Sequence, residues 1–343
     1  MKNKKLLIGG LVIFVLVVVP SVVWFVSRPK PNYDDSIEVP VISPEQQTAV
    51  ESIDAVDDIN DVAYSVSKKA LYVSSLDENK IYVIDIKTHA VLNKIDVALP
   101  NKLLLLDAQD RLFVSARDSK LIALDTNTFD VKGEVEVGIR SSEIAVDPLN
   151  KYLFVVSELT DSLTVVDLTS FTAVKTLLVG SSPRDVVVGR SGEYAYVSCE
   201  DAGWVSVISV ATLEKVTTLN NVGRPGALLA YPDKDLILIA DRYNHQVLVY
   251  DEKNNEVARR IDVVKFPADL SYDDRARVIY VAGFMENQVG VLDLATESLS
   301  RKLQISSAFE QVPGLNNAVY IPNENEIVVT NTNEGKVYFV KIN

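Results

Sequence analysis

Residues that carry chemistry are scarce in this chain. Its 343 residues include one cysteine, Cys199, two histidines, His89 and His245, two methionines and two tryptophans. A single thiol excludes an intrachain disulfide, and at position 199 it also excludes an N-terminal lipid-modified cysteine. Two histidines far apart leave a His-rich metal centre or a haem short of ligands. There is no Gly-x-Ser-x-Gly elbow, and Cys199 has no histidine near it, so it reads as a small strand-end residue. Asp57-Asp58-Ile59-Asn60-Asp61 clusters oxygens but departs from an EF-hand loop and reads as a solvated turn. The sequence therefore assigns no catalytic residue, no metal site and no cofactor.

What the chain has in abundance is repetition. Short apolar, β-branched runs alternate with Gly, Pro, Asp, Asn and Ser, and the third run of each copy ends at a landmark: Asp85, Asp125, Asp167, Ser209, Asp251 and Asp293. The spacing between successive landmarks is the same throughout, save for a slightly shorter first interval. Four strands per copy at a period of about 40–45 residues is the signature of a β-propeller blade. The last copy has three runs, 316–321, 326–330 and 336–342, and then the chain ends. A fourth is available at the other end, where Thr48–Val56 reads like Thr172–Val179 of the third copy. The expectation is an all-β, seven-bladed propeller over 48–343, closed by an N-terminal strand that completes the last blade and leaves no open edge. A six-bladed ring would require that match to be coincidence. Each landmark Asp precedes a tight turn, where its carboxylate can accept backbone N–H bonds two and three residues on.

The repeats resemble the YVTN-type seven-bladed propellers, a bacterial and archaeal family that includes the YncE-like periplasmic proteins. The match rests on the opening Gly180-Ser181-Ser182-Pro183-Arg184-Asp185-Val186-Val187-Val188, on Tyr196-Val197-Ser198-Cys199 and Leu71-Tyr72-Val73-Ser74-Ser75, and on Val205-Ser206-Val207-Ile208 and Tyr82-Val83-Ile84-Asp85. The resemblance implies a fold and a repeat class; it brings no shared catalytic constellation. Blade two departs from it, with Leu99-Pro100-Asn101-Lys102 in place of a glycine opening, and blade seven has an expanded loop.

Ahead of the repeats, Met1-Lys2-Asn3-Lys4-Lys5 precedes the uncharged, mostly apolar run Leu6–Val26. That length suits a single transmembrane helix. Residues 1–27 are read as a membrane anchor, with a cleaved signal sequence as the alternative. No alanine precedes Ala49 to make an Ala-x-Ala cleavage site, although Val19-Pro20-Ser21 offers a poorer one. Residues 28–47, with Pro29, Pro31, Pro40 and Pro44, read as a stalk. The segment 1–30 is purely basic, with Lys2, Lys4, Lys5, Arg28 and Lys30 and no acid, so the remainder of the chain is more acidic than the whole. The basic N-terminus favours an inside position, with the acidic propeller on the extracytoplasmic side, periplasmic or at the cell surface.

Function must then reside in loops. Basic residues recur between blades and in hairpins, at Lys102, Arg117, Arg140, Arg184, Arg224, Arg242 and Lys265, and Arg117, Arg140, Arg184 and Arg224 form a candidate anion-binding set. Acids including Glu143, Glu158, Asp185, Glu200, Asp201, Asp241 and Asp269 share the same loops, so interblade ion pairing is the competing account. Arg242, Tyr243, His245, Lys265, Phe266, Phe284, Met285, Phe309 and Gln311 should share one face of blades five to seven, and this composition suits a protein-docking patch. The longest interblade loop, Ser306–Leu315, either belongs to that patch or plugs the channel mouth. The expected role is a membrane-tethered, protein-binding or scaffold subunit whose partner is another envelope or membrane protein. Two alternatives stand beside it. A lactonase-type hydrolase would use convergent channel carboxylates drawn from Glu143, Asp185, Asp269 and Glu310. A glycan or single-stranded nucleic acid module would use an aromatic groove, though the acidic body repels phosphate.

Overall fold

The computed structural model describes residues 39–43, 50–53, 59–305, 314–322 and 324–342, with backbone alone for Val50, Glu51 and Ile53. Seven sheets are formed, and in six of them four antiparallel strands follow in sequence order. Blade three is representative: Ser141–Val146, Tyr152–Ser157, Ser162–Asp167 and Thr172–Leu178 run from channel to rim. Central strands such as Ala70–Ser75 are buried along their whole length, which is why they read as continuous apolar runs, whereas rim strands such as Val91–Asp96 are mostly exposed.

Seven apolar clusters hold the ring together, one between each pair of neighbouring blades. In blade one, Tyr72 packs toward blade two with Leu112 and Val114, while Leu71 and Val73 pack toward blade seven with Val328 and Phe339. The closing interface is therefore packed like the others. Val50–Ile53 pairs antiparallel with Lys336–Lys341, so the N-terminal segment supplies the fourth strand of blade seven as the repeat pattern predicts.

The landmark aspartates behave as their spacing suggests. Asp85 accepts the N–H groups of Lys87 and Thr88, Asp125 those of Asn127 and Thr128, Asp167 those of Thr169 and Ser170, Asp251 those of Lys253 and Asn254, and Asp293 those of Ala295 and Thr296, all at 2.7–3.1 Å. In the copy that carries serine, Ser209 Oγ accepts from Thr212 N at 3.3 Å.

One element differs from the sequence reading. Val41–Ile42, within the expected stalk, adds a parallel fifth strand to the rim of blade six beside Lys302 and Leu303, and Pro40 accepts the Lys302 N–H at 2.9 Å. So short a strand leaves no alternation to read in a sequence. Among the described residues no helix is long and apolar enough to cross a membrane. The Leu6–Val26 run, Asp57, Asp58, Phe309, Glu310 and Gln311 lie outside them.

Candidate functional site: a funnel above a ring of charged residues

The innermost strands are Ile59–Ser65, Pro100–Leu106, Ser141–Val146, Pro183–Val188, Pro225–Ala230, Pro267–Asp273 and Leu315–Ile321. Every one is bulged near its third residue. That residue is, blade by blade, Asp61, Lys102, Glu143, Asp185, Ala227, Asp269 and Asn317, and all but Ala227 line a cavity of about 390 Å³ along the channel. The bulge frees an N–H from the ladder. In three blades a hydroxyl on the second strand receives it: Ser115 from Lys102, Ser198 from Asp185 and Thr330 from Asn317, at 3.1–3.2 Å. These hydroxyls occupy the Ser/Thr position of the Tyr-Val-Ser-type motif, which gives that motif a structural purpose.

The ring residues lash blade to blade. Asp61 accepts Leu103 N at 2.8 Å, Asp185 accepts Leu228 N at 2.6 Å and Asp269 accepts Ala318 N at 3.0 Å, each from the next inner strand round the ring. Lys102 Nζ lies 3.2 Å from Asp61 Oδ1 and 3.4 Å from Glu143 Oε2, and Asn317 Nδ2 donates to Asp61 at 2.7 Å. Burial pushes the Glu143 carboxyl up to about 6 despite Lys102, and burial likewise raises Asp269 to about 6. Burial and the neighbouring Glu143 drive Asp185 well above the usual carboxylate range. Burial alone would lower Lys102, but Asp61, Glu143 and Asp269 outweigh it and hold the ammonium charged.

The hydrolase alternative called for convergent carboxylates, and Glu143, Asp185 and Asp269 do converge. Each is already engaged: Asp185 accepts from Val186 and Leu228, Asp269 accepts from Ala318, and Glu143 accepts from Ile144 beside its Lys102 contact. Among the described residues, no group of three or more His, Cys, Asp or Glu is placed to hold a metal ion. Sequence reasoning put Lys102, Arg184, Glu143, Asp185 and Asp269 in loops. They lie instead in the innermost strands, because the bulge lets a polar side chain leave an otherwise apolar strand for the channel. Asp61 belonged to a turn in that reading and is also a ring member. The available signal was the recurrence of a polar residue at 61, 102, 143, 185, 269 and 317.

Above the ring the channel widens into a funnel of about 500 Å³, whose wall includes Arg117, Arg140, Arg184, Arg242, Glu158 and Phe284. A repeated hydrogen bond assembles this face. The residue after the second strand donates its N–H to the residue before the first strand of the same blade: Arg117 to Leu99, Glu158 to Arg140, Glu200 to Ser182, Arg242 to Arg224 and Phe284 to Phe266. Position after position, the fold brings two diversified residues side by side.

In blades three to five these pairs carry charge. Arg140 Nε meets Glu158 at 3.3 Å; Arg184 reaches Glu158 at 3.3 Å and Glu200 at 2.6 Å; Arg242 meets Glu200 at 3.2 Å. Arg224 pairs with Asp201 and lies 3.9 Å from Glu200. Arg117 donates to Asn60 Oδ1 at 3.1 Å. The interblade ion pairs expected from the sequence are therefore present. Of the candidate anion set, Arg117, Arg140 and Arg184 line the funnel, while Arg224 turns to lie over Tyr243 at 4.4 Å.

In blade six the same positions carry the aromatics Phe266 and Phe284, and in blade five Tyr243 follows Arg242. Tyr243, Phe266 and Phe284 form a row with centroids 5.5 and 5.8 Å apart, and Arg242 lies 4.2 Å over Phe266. The Phe266 N–H bonds His245 Nδ1 at 3.1 Å, and the Lys265 N–H bonds Glu286 at 2.9 Å. Phe266 has φ +56°, in the left-handed bend also adopted by Leu99, Arg140 and Ser182. The predicted cluster Arg242, Tyr243, His245, Lys265, Phe266, Phe284 and Met285 is thus gathered on one face, but its rings are half-buried against each other and only Met285, 53% exposed, projects. On the same face Ile139 and Leu159, joined by a backbone hydrogen bond, are 52% and 63% exposed; sequence reasoning missed them. The other sparse residues are structural. His89 stacks on Phe339 at 3.8 Å, and burial pushes the Cys199 thiol up to about 11.

A family model described as Cytochrome D1 heme domain matches residues 150–320, just short of half the chain. Among solved structures, hydrazine synthase of Kuenenia stuttgartiensis superposes with a TM-score of 0.69 at 16% identity, covering 84% of this chain and 96% of that one. At that identity the likeness is one of fold. No curated protein matches. The first match raises haem as a ligand, and the donor set does not fit it. Among the described residues neither cavity is lined by His, Cys, Met or Tyr, the side chains that bind haem iron, and Phe284 is the one aromatic in either wall. Both comparisons leave the chain as a seven-bladed propeller, similar over 150–320 to the cytochrome D1 heme domain and in fold to the hydrazine synthase chain.

Proposed function

We propose that the chain is a YVTN-like binding propeller, tethered by Leu6–Val26 outside the cytoplasm, that docks a protein of the same membrane or envelope. The observation that carries this reading is the row Tyr243–Phe266–Phe284, locked by Arg224 and Arg242 beside exposed Met285. Anchors held in place before binding lose little rotamer freedom on docking, and aromatics with Arg are the types that dominate hot spots. The channel carboxylates serve the ring's cohesion, which removes the main support for hydrolysis.

The test is recovery of partners from mildly solubilised native membranes with wild-type protein, with Tyr243→Ala/Phe266→Ala and with Met285→Asp. The expected result is loss of a stoichiometric partner in both variants. Because the two rings are half-buried, the solvent-facing Met285 change separates docking from folding. Equal recovery with all three proteins overturns the reading.

A further inference from the structure

Arg242 is held on three sides and unsatisfied on the fourth. Its stem crosses Gly226, where an added Cβ would stand 2.5 Å from Arg242 Cδ and 2.8 Å from Cγ. The backbone at 226 needs no glycine for its conformation, so the missing side chain serves as a seat. Phe266 covers the guanidinium at 4.2 Å, and Glu200 Oε2 holds both Arg242 Nη1 at 3.2 Å and Arg184 Nε at 2.6 Å. Glu200 is 4% exposed, so this clamp is internal to the protein. With those contacts made, Arg242 Nε is buried without a hydrogen-bond partner, and the side chain forms part of the funnel wall. A buried charged donor left unpaired is costly, and an acceptor would meet Arg242 through the part of its side chain that lines the funnel, since Nε itself is covered.

The charges agree. Around this clamp, Arg140, Arg184, Arg224 and Arg242 face Glu158, Glu200 and Asp201, one guanidinium in excess. One negative charge neutralises it. Glu143 and Asp185 at the funnel floor limit the negative charge that the funnel can take, which favours a single carboxylate over a multiply charged anion. Phe284 in the same wall offers an apolar surface beside the cations.

We propose that the funnel binds a carboxylate, gripped by Arg242 and Arg184 with Arg140 at the wall, while Phe284 packs the apolar part of the ligand. This site shares Arg242 and Phe284 with the docking patch, but its ligand enters the funnel rather than covering the loop tips. The carboxylate comes from a small aromatic or aliphatic acid or from an acidic side chain of an inserted peptide, and two probes tell these apart.

Calorimetric titration of the full-length protein would use N-acetylphenylalanine, its uncharged amide, and a blocked tripeptide with aspartate between two phenylalanines. Saturable binding of either carboxylate, with none of the amide, is expected. A preference for the free acid marks a small-molecule site and a preference for the peptide marks a partner segment. Arg242→Gln should weaken binding by about tenfold or more. Gly226→Ala leaves every charge in place and only unseats Arg242, so an equal loss there separates a built site from general attraction. If Arg242→Gln fails to fold, Arg140→Gln, half-exposed and paired with Glu158 rather than Glu200, reads the same effect. No saturation by either acid, or wild-type affinity in these variants, overturns the site. Partner recovery that persists in that case would leave the docking reading standing.

Discussion

Two sets of acids repeat in this propeller, and they behave in opposite ways. At the outer hairpins, Asp85, Asp125, Asp167, Asp251 and Asp293 lie partly exposed at the surface, and backbone N–H groups of the following turn hold their carboxyls below the usual range. In the channel, burial raises Glu143, Asp185 and Asp269 although they too accept backbone N–H bonds. Hydrogen bonding to the charged form is common to both sets; desolvation is what differs, and it wins inside the ring. An acid in a repeat is therefore not characterised by its period alone.

The largest test of this contrast is Lys102→Met. Lys102 is the ring's one cation among the described residues, facing Asp61, Glu143 and Asp269. Its removal should cost about 3 kcal/mol at neutral pH, because carboxylates with little access to water lose their counter-charge. Urea midpoints would show this, and the deficit should shrink below about pH 6 as Glu143 and Asp269 take up protons. A deficit independent of pH would mean that packing, not charge, is what Lys102 supplies.

Next comes the pH profile of the native protein. Glu143 and Asp269 hold their protons more tightly folded than unfolded, with folded values near 6 against ordinary values of 4.5 and 3.8. Their contribution is fully present below the ordinary values and is lost as pH rises to about 6. The hairpin aspartates have lowered values, so their contribution is present above 3.8 and lost as pH falls through their folded-state values. Thermal midpoints should peak in mildly acidic buffer. In Glu143→Gln/Asp269→Asn the fall toward neutral pH should flatten while the acid limb stays. A native profile that climbs steadily to neutrality would contradict raised values in the ring.

The smallest effect sharpens the comparison residue by residue. Asp185→Asn keeps an acceptor for the Leu228 N–H and removes a carboxyl whose ionisation burial opposes, so it should raise the midpoint at neutral pH. Asp167→Asn, on the exposed turn, should lower it slightly, since an amide oxygen accepts the Thr169 and Ser170 N–H groups less strongly than a carboxylate. The opposite signs are the result to look for in matched melts.

Much of the fold was legible because its cause is local. Four apolar runs and a turn signal recur within each copy, so the blade count, the Asx turns at Asp125 or Asp251 and the closing strand at Val50–Ile53 follow from short-range patterns. The candidate site was legible only in part. Grouping by blade brought Arg242, Tyr243, Phe266 and Phe284 together correctly, yet the sequence treats them as exposed loop tips. In the fold the Arg242-to-Arg224 and Phe284-to-Phe266 backbone bonds draw them into contact, and the rings bury one another.

The sequence by itself determined that the propeller has seven blades, how its ring closes and which positions are equivalent, because a near-constant period states equivalence directly. Only the tertiary structure decided where those positions point. Asp167 ends the third strand of blade three and Asp185 lies in the first strand of blade four, close together in the chain, yet one faces water and the other faces the channel. That direction is set by the bulge in each inner strand and by hydrogen bonds to the next blade, such as Leu228 N–H to Asp185, which join residues distant in sequence. Orientation of this kind exists only once the ring has formed.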